Sequence, residues 1–234
     1  MTEDHGFSRI QPCDSLRAID TLCEPDPRSA GRGLVDEAGN VRAIELLDHL
    51  ESVTQLSLSE DVPDTVRVHF DTARNVLVYT WFVYRFYAVA EQQALTSLEF
   101  ALRERLESGR FATPAPLSRK LRGLSDRLAE ARKQGLIDSA TLPRAADWAL
   151  ERARHRFQLE QVDRMTRLGL CSLEVDDSRV QPSPEDLQHD WIETFILYLP
   201  KVRNMYAHGT ETLHPGVLRT FEIVRDLIGQ LFSK

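Results

Sequence analysis

Apolar residues return along this chain at steps of three and four. Leu95, Leu98, Leu102 and Leu106 form one series, and Leu117, Leu121, Leu124, Leu128 and Ala131 form another. That spacing lines one face of an α-helix, whereas a half-buried strand needs alternation at every second residue. Ile44, Leu47, Leu50 (or Val53) and Leu56 repeat it upstream, and Leu218, Phe221, Val224, Leu227 (or Ile228) and Leu231 repeat it later. Between the stripes stand Pro63, Gly109, Gly135, Pro143, Pro184 and Pro215. Proline suits the first turn of a helix and glycine the residue after its last. The pattern predicts an all-α, up-and-down bundle of about six or seven helices.

Residues 1–40 lack the periodicity and hold Pro12, Pro25, Pro27, Gly31, Gly33 and Gly39, so they read as an extended or partly disordered arm. Residues 41–234 read as a single helical domain. Its spine runs from Asp64 to Ser108. The first half of that segment is rich in Val, Tyr, Phe and Trp, which alone would suggest a strand between Val76 and Val83. No Gly or Pro separates it from the leucine stripe that follows, so one very long central helix, or two in line, is expected. Ser183-Pro184-Glu185-Asp186 marks a helix start, with a capping serine, proline at the first position and acids in the first turn. Its stripe of Leu187, Trp191, Phe195 and Tyr198 runs to Pro200, which should break or kink it.

Hydrophobic residues make up 42% of the 234, enough for a real core. Net charge is -7, so a polyanion would have to be held by a local patch. Cys13, Cys23 and Cys171 are odd in number and widely spaced, which suggests neither a disulfide framework nor a zinc knuckle. The most apolar stretch, Val76 to Ala90, is interrupted by Arg85 and falls short of the ~20 residues a membrane span needs. The acidic start Met1-Thr2-Glu3-Asp4 is unlike a secretory signal, so a cytoplasmic protein is expected. Phosphate-loop, dinucleotide, nucleophile-elbow and H-E-x-x-H patterns are all absent. No cofactor and no metal are expected; His208 and His214 have no cysteine nearby to complete a site.

One segment concentrates chemistry: Pro200-Lys-Val-Arg-Asn-Met-Tyr-Ala-His-Gly209. It sets Arg203, Asn204 and His208 between two apolar helices, just before a glycine. Five residues on a regular helix turn about 500°, leaving Arg203 and His208 ~140° apart, so their convergence needs a bend or a helix end. A histidine in a last helical turn sits at the negative pole of the macrodipole, which favours its cationic form. Imidazole beside guanidinium suits a phosphate and suits proton transfer near neutral pH. The same three residues could equally serve as caps of a helix end.

Arg203-Asn204-x-x-x-His208, within the wider string R-N-x-Y-A-H-G, resembles the signature of the HEPN superfamily, small helical-bundle proteins. The likeness is specific over residues 185–232 and loose over 64–108, where Ala88–Ser108, with Glu91 and Glu99, resembles the leading core helix of that family. Residues 136–182 are then an elaboration. The resemblance implies a metal-independent endoribonuclease, as many members are, often in toxin–antitoxin, phage-defence or stress systems. His208 would act as acid or base on the ribose 2'-hydroxyl or the leaving 5'-oxygen, Arg203 would hold the scissile phosphate, and Asn204 would orient the pair. The product would be a 2',3'-cyclic phosphate. One motif per chain supplies one such pair, so the resemblance also implies a homodimer that brings two together.

For an RNA substrate, the densest basic cluster is Arg152-Ala-Arg154-His155-Arg156, and Tyr206 either offers a ring on which a base can stack or packs against a neighbouring helix. Members of the family also serve as non-catalytic protein- or RNA-binding modules, which makes an antitoxin or other protein partner the alternative expectation. No membrane partner is expected.

Overall fold

The computed structural model describes residues 12–35, 39–107, 120–207 and 216–233, and it is mostly helical. The helices are α1 (Pro27–Ala30), α2 (Leu46–Thr54), α3 (Asp64–Tyr79), α4 (Phe86–Leu106), α5 (Gly123–Lys133), α6 (Ala145–Leu168), α7 (Pro184–Leu187), α8 (Trp191–Ala207) and α9 (Leu218–Phe232). Two strands, β1 (Gly33–Val35) and β2 (Val41–Ala43), pair antiparallel with Leu34 opposite Arg42. No described helix is long and apolar enough to cross a membrane. The chain divides into two compact units, residues 1–114 with 200–234, and residues 115–199. The division falls at Pro200, inside α8. That helix carries the proline within it and continues to Ala207, so of the break or kink expected there the break does not occur.

In the first unit, the segment expected as one very long helix, or two in line, is a helical hairpin, and the alternative strand over Val76–Val83 is absent. α3 and α4 run antiparallel, with His69 Nδ1 2.9 Å from Ser97 Oγ and the His69 ring stacked on Phe100. The reversal at Thr80–Arg85 contains neither Gly nor Pro. Its backbone is held instead by residues 14–28. Asp26 N–H donates to Trp81 O (2.9 Å), Tyr84 N–H donates to Asp26 Oδ2 (3.2 Å), and Arg17 donates to Phe82 O. Asp26 is fully buried and is gripped by Arg28, whose guanidinium lies over the Tyr84 ring. Residues 12–35, which their Pro and Gly content marked as an arm, thus include the cap of this turn.

The aromatic stretch proves to be the corner of the hairpin, with Tyr79 57% exposed, and the central element is α4. Buried positions on α4, among them Ala90, Glu91, Ala94, Leu98, Ala101 and Leu102, spread well around the helix. α3 and α9 both pack on it, and Phe70 of α3 meets Phe221 of α9 with ring centroids 5.8 Å apart. Arg105 Nε donates to Leu231 O (2.8 Å) near the ends of α4 and α9, which therefore run parallel.

In the second unit, Trp148 of α6 packs edge-on against Trp191 and Phe195 of α8. Ile137, Leu142, Trp148, Ala149 and Ala153 are all buried, so the stretch 136–182 supplies core. α6 has no buried residue after Ala153, and Gly169 closes it in the left-handed conformation (φ 62°), where glycine carries no Cβ penalty. Ser183 and Asp186 form the capping box that starts α7.

Candidate functional site

The last turns of α8 carry Arg203, Asn204 and Tyr206. His208, Gly209 and His214 lie outside the described residues. Arg203 is half-buried, with one guanidinium nitrogen 3.6 Å from Glu99 Oε2 on α4 and another donating to Asn204 Oδ1 at 3.4 Å. Asn204 is exposed. The structure therefore brings Arg203 and Asn204 together and adds an acid beside them.

Tyr206 corrects an expectation. Its ring is 8% exposed and its hydroxyl donates to Glu91 Oε2 at 2.5 Å, so it presents no face on which a base could stack. A tyrosine three residues after Arg203 lies on the same side of the helix. That side is turned toward α4, where the ring packs. The other oxygen of Glu91 accepts from Thr220 Oγ1 of α9, also at 2.5 Å. Glu91 and Glu99 stand eight residues apart on α4, about 12 Å along its axis. They meet Tyr206 and Arg203 in reverse order, so α8 runs antiparallel to α4 here. Nothing in the local sequence marks Thr220 as a partner, because the pairing spans 129 residues.

Arg152, Arg154 and Arg156 belong to the second unit. The structure commits two of them to Asp186, whose side chain is fully buried. Arg156 binds both carboxylate oxygens, at 2.7 and 2.6 Å, and Arg152 Nε reaches Oδ1 at 3.2 Å. The Arg156 hydrogen bonds hold the Asp186 carboxyl well below the usual carboxylate range, against the opposing effect of desolvation. Asp186, which caps α7, and Glu185, 3.8 Å from Arg152, together balance the two guanidiniums, so Arg152 and Arg156 are not a free phosphate-binding pair. Arg154 is half-buried, and its Nε has no hydrogen-bond partner.

A cleft of about 470 Å³ in the second unit is lined by Arg132, Ser139, His189 and Asp190, a set that suggests nucleophilic chemistry. The hydrogen bonds deny it. Ser139 Oγ donates to Asp190 Oδ1 (2.9 Å) and accepts from Ile192 N–H (3.0 Å), while Asp190 caps α8 through Glu193 N–H. Arginine can only donate, so Arg152 makes His189 Nδ1 the acceptor (3.1 Å), and Nε2–H faces Thr194 Oγ1 (2.9 Å). The serine thus donates to a carboxylate that is itself engaged in capping. Among the described residues, no cluster of three or more His, Cys, Asp or Glu side chains is placed to hold a metal ion.

Compared with family models, curated proteins and solved structures, the chain matches none.

Proposed function

We propose that this chain is a metal-independent endoribonuclease of HEPN type that cuts RNA by attack of the ribose 2'-hydroxyl. The observation that carries the reading is the pairing of Arg203 with Asn204 on the last turns of α8, five residues before His208 and with 42% of the arginine side chain open to solvent. The arrangement of α4 between antiparallel α3 and parallel α9 is compatible with the proposed HEPN-like bundle.

In this mechanism Arg203 binds the scissile phosphate and stabilises the charge that grows on its oxygens. His208 moves a proton, as base on the 2'-hydroxyl or as acid on the leaving 5'-oxygen. Asn204 orients the guanidinium. The attacking oxygen belongs to the RNA, so the products are a 2',3'-cyclic phosphate and a 5'-hydroxyl. Base and acid are both needed, and a homodimer that brings two motifs together supplies them.

A second reading, a non-catalytic RNA- or protein-binding module, is favoured by the ion pair between Arg203 and Glu99, which engages the guanidinium with an acid on α4. The two separate on one assay. Purified protein and its His208→Ala variant are incubated with total RNA in excess chelator. Cleavage by the parent alone supports the nuclease, and equal cleavage by both, or none, contradicts it.

A further inference from the structure

Glu91 sits 2% exposed on the central helix, next to Ala90, Ala94 and Leu95. A carboxylate is disfavoured in such surroundings unless its oxygens are paired, and an apolar side chain would fill the position without that desolvation cost. Here the oxygens are divided between two helices, Oε2 accepting from Tyr206 of α8 and Oε1 from Thr220 of α9. The two hydroxyls lie on either side, in sequence, of residues 208–215, the segment that carries His208. One side chain therefore ties both flanks of that segment to α4. Because Tyr206 and Arg203 are three residues apart on one side of α8, fixing the Tyr206 hydroxyl also fixes the roll of the helix and the direction of Arg203. Two hydroxyls from different helices on one carboxyl group suit a side chain that must hold a geometry.

We propose that Glu91 is a positioning residue for RNA cleavage, setting the end of α8 against the start of α9 through Tyr206 and Thr220. The inference rests on the nuclease reading. It assigns Glu91 no contact with the RNA and no proton transfer. Its effect is on the placement of Arg203, and a misplacement of about 1 Å lowers a rate by as much as ~100-fold.

The test uses the full chain and an unstructured RNA oligonucleotide in chelator, with kcat, KM and the thermal midpoint measured for each protein. Tyr206→Phe and Thr220→Val each delete one hydroxyl and keep the side-chain shape. Glu91→Ala deletes the acceptor, and Glu91→Gln keeps its size and one carbonyl oxygen. Each hydroxyl deletion is expected to lower kcat about 10- to 100-fold with KM within about twofold, in protein that remains folded. Glu91→Gln should keep more of kcat than Glu91→Ala. If both hydroxyl deletions retain the parent kcat while His208→Ala is inactive, the positioning role is overturned and the nuclease stands. Loss of rate only in proportion to the fraction unfolded overturns it equally. If the parent protein cuts no RNA, the nuclease reading falls and this role falls with it.

Discussion

Arg203 of α8 and Glu99 of α4 face each other at 3.6 Å, with 42% and 22% of their side chains exposed. An ion pair this open to water contributes little to stability, typically under about 1 kcal/mol. Its consequence lies in charge. If Arg203 binds the RNA phosphate as proposed, a carboxylate beside it repels that phosphate.

Glu99→Gln should therefore tighten RNA binding about three- to tenfold at low salt, with the gain shrinking as salt screens the repulsion. Fluorescence anisotropy with a labelled oligonucleotide measures it. Weaker binding by the variant would mean that Glu99 holds Arg203 in its working position.

His49 is 7% exposed, with Nε2 2.9 Å from Leu77 O, and burial pushes its pKa below the ordinary 6.5. The unfolded chain then binds the proton more readily than the folded one. The contribution to stability is complete above about pH 6.5 and is lost as pH falls below it. His69 is shifted the same way, by burial and by Arg103. Thermal midpoints from pH 7 to 5 should fall in the parent and fall less steeply in His49→Gln. Equal slopes would contradict the assignment.

Asp186 supplies a second, more acidic limb. Its folded pKa lies below the ordinary 3.8, chiefly through Arg156. Stability from this group is therefore complete above about pH 4 and disappears as pH falls further. Asp186→Asn should lower the midpoint at pH 7 and flatten its decline between pH 4 and 2. An unchanged midpoint would show that Arg152 and Arg156 are not held by this acid.

Trp148 is 1% exposed and meets both Trp191 and Phe195 edge-on. Trp148→Ala should cost about 3–5 kcal/mol by chemical denaturation, the range for a large aromatic cut from a packed core. A cost under about 1 kcal/mol would mean that the cavity collapses without penalty.

The helices were legible in the sequence where local chemistry writes their limits. Ser183 to Asp186 starts a helix in both pattern and structure, although that helix ends at Leu187 and α8 begins afresh at Trp191. Leu187 and Tyr198 of the expected buried stripe are exposed. The leucine stripe of α4 is buried as its spacing requires. The hairpin corner was not legible, because Thr80–Arg85 has no turn residues of its own. Arg17 and Asp26, more than fifty residues away, satisfy its backbone. The short β1–β2 hairpin has no alternating run to announce it, and all six of its residues are exposed. At the site, Arg203 and Asn204 could be singled out from their neighbours alone. The burial of Tyr206 and the commitment of Arg152 and Arg156 could not, since Glu91 and Asp186 reach them across 115, 34 and 30 residues.

The measurement that bears most directly on the proposed chemistry is the fate of an RNA oligonucleotide carrying a single 2'-deoxy nucleotide at its principal cut site, incubated with the protein in chelator and resolved by mass spectrometry. The account predicts a 2',3'-cyclic phosphate and a 5'-hydroxyl from the all-ribose strand and no cleavage at the substituted position. Cleavage at that position, or ends bearing a 5'-phosphate, would contradict it.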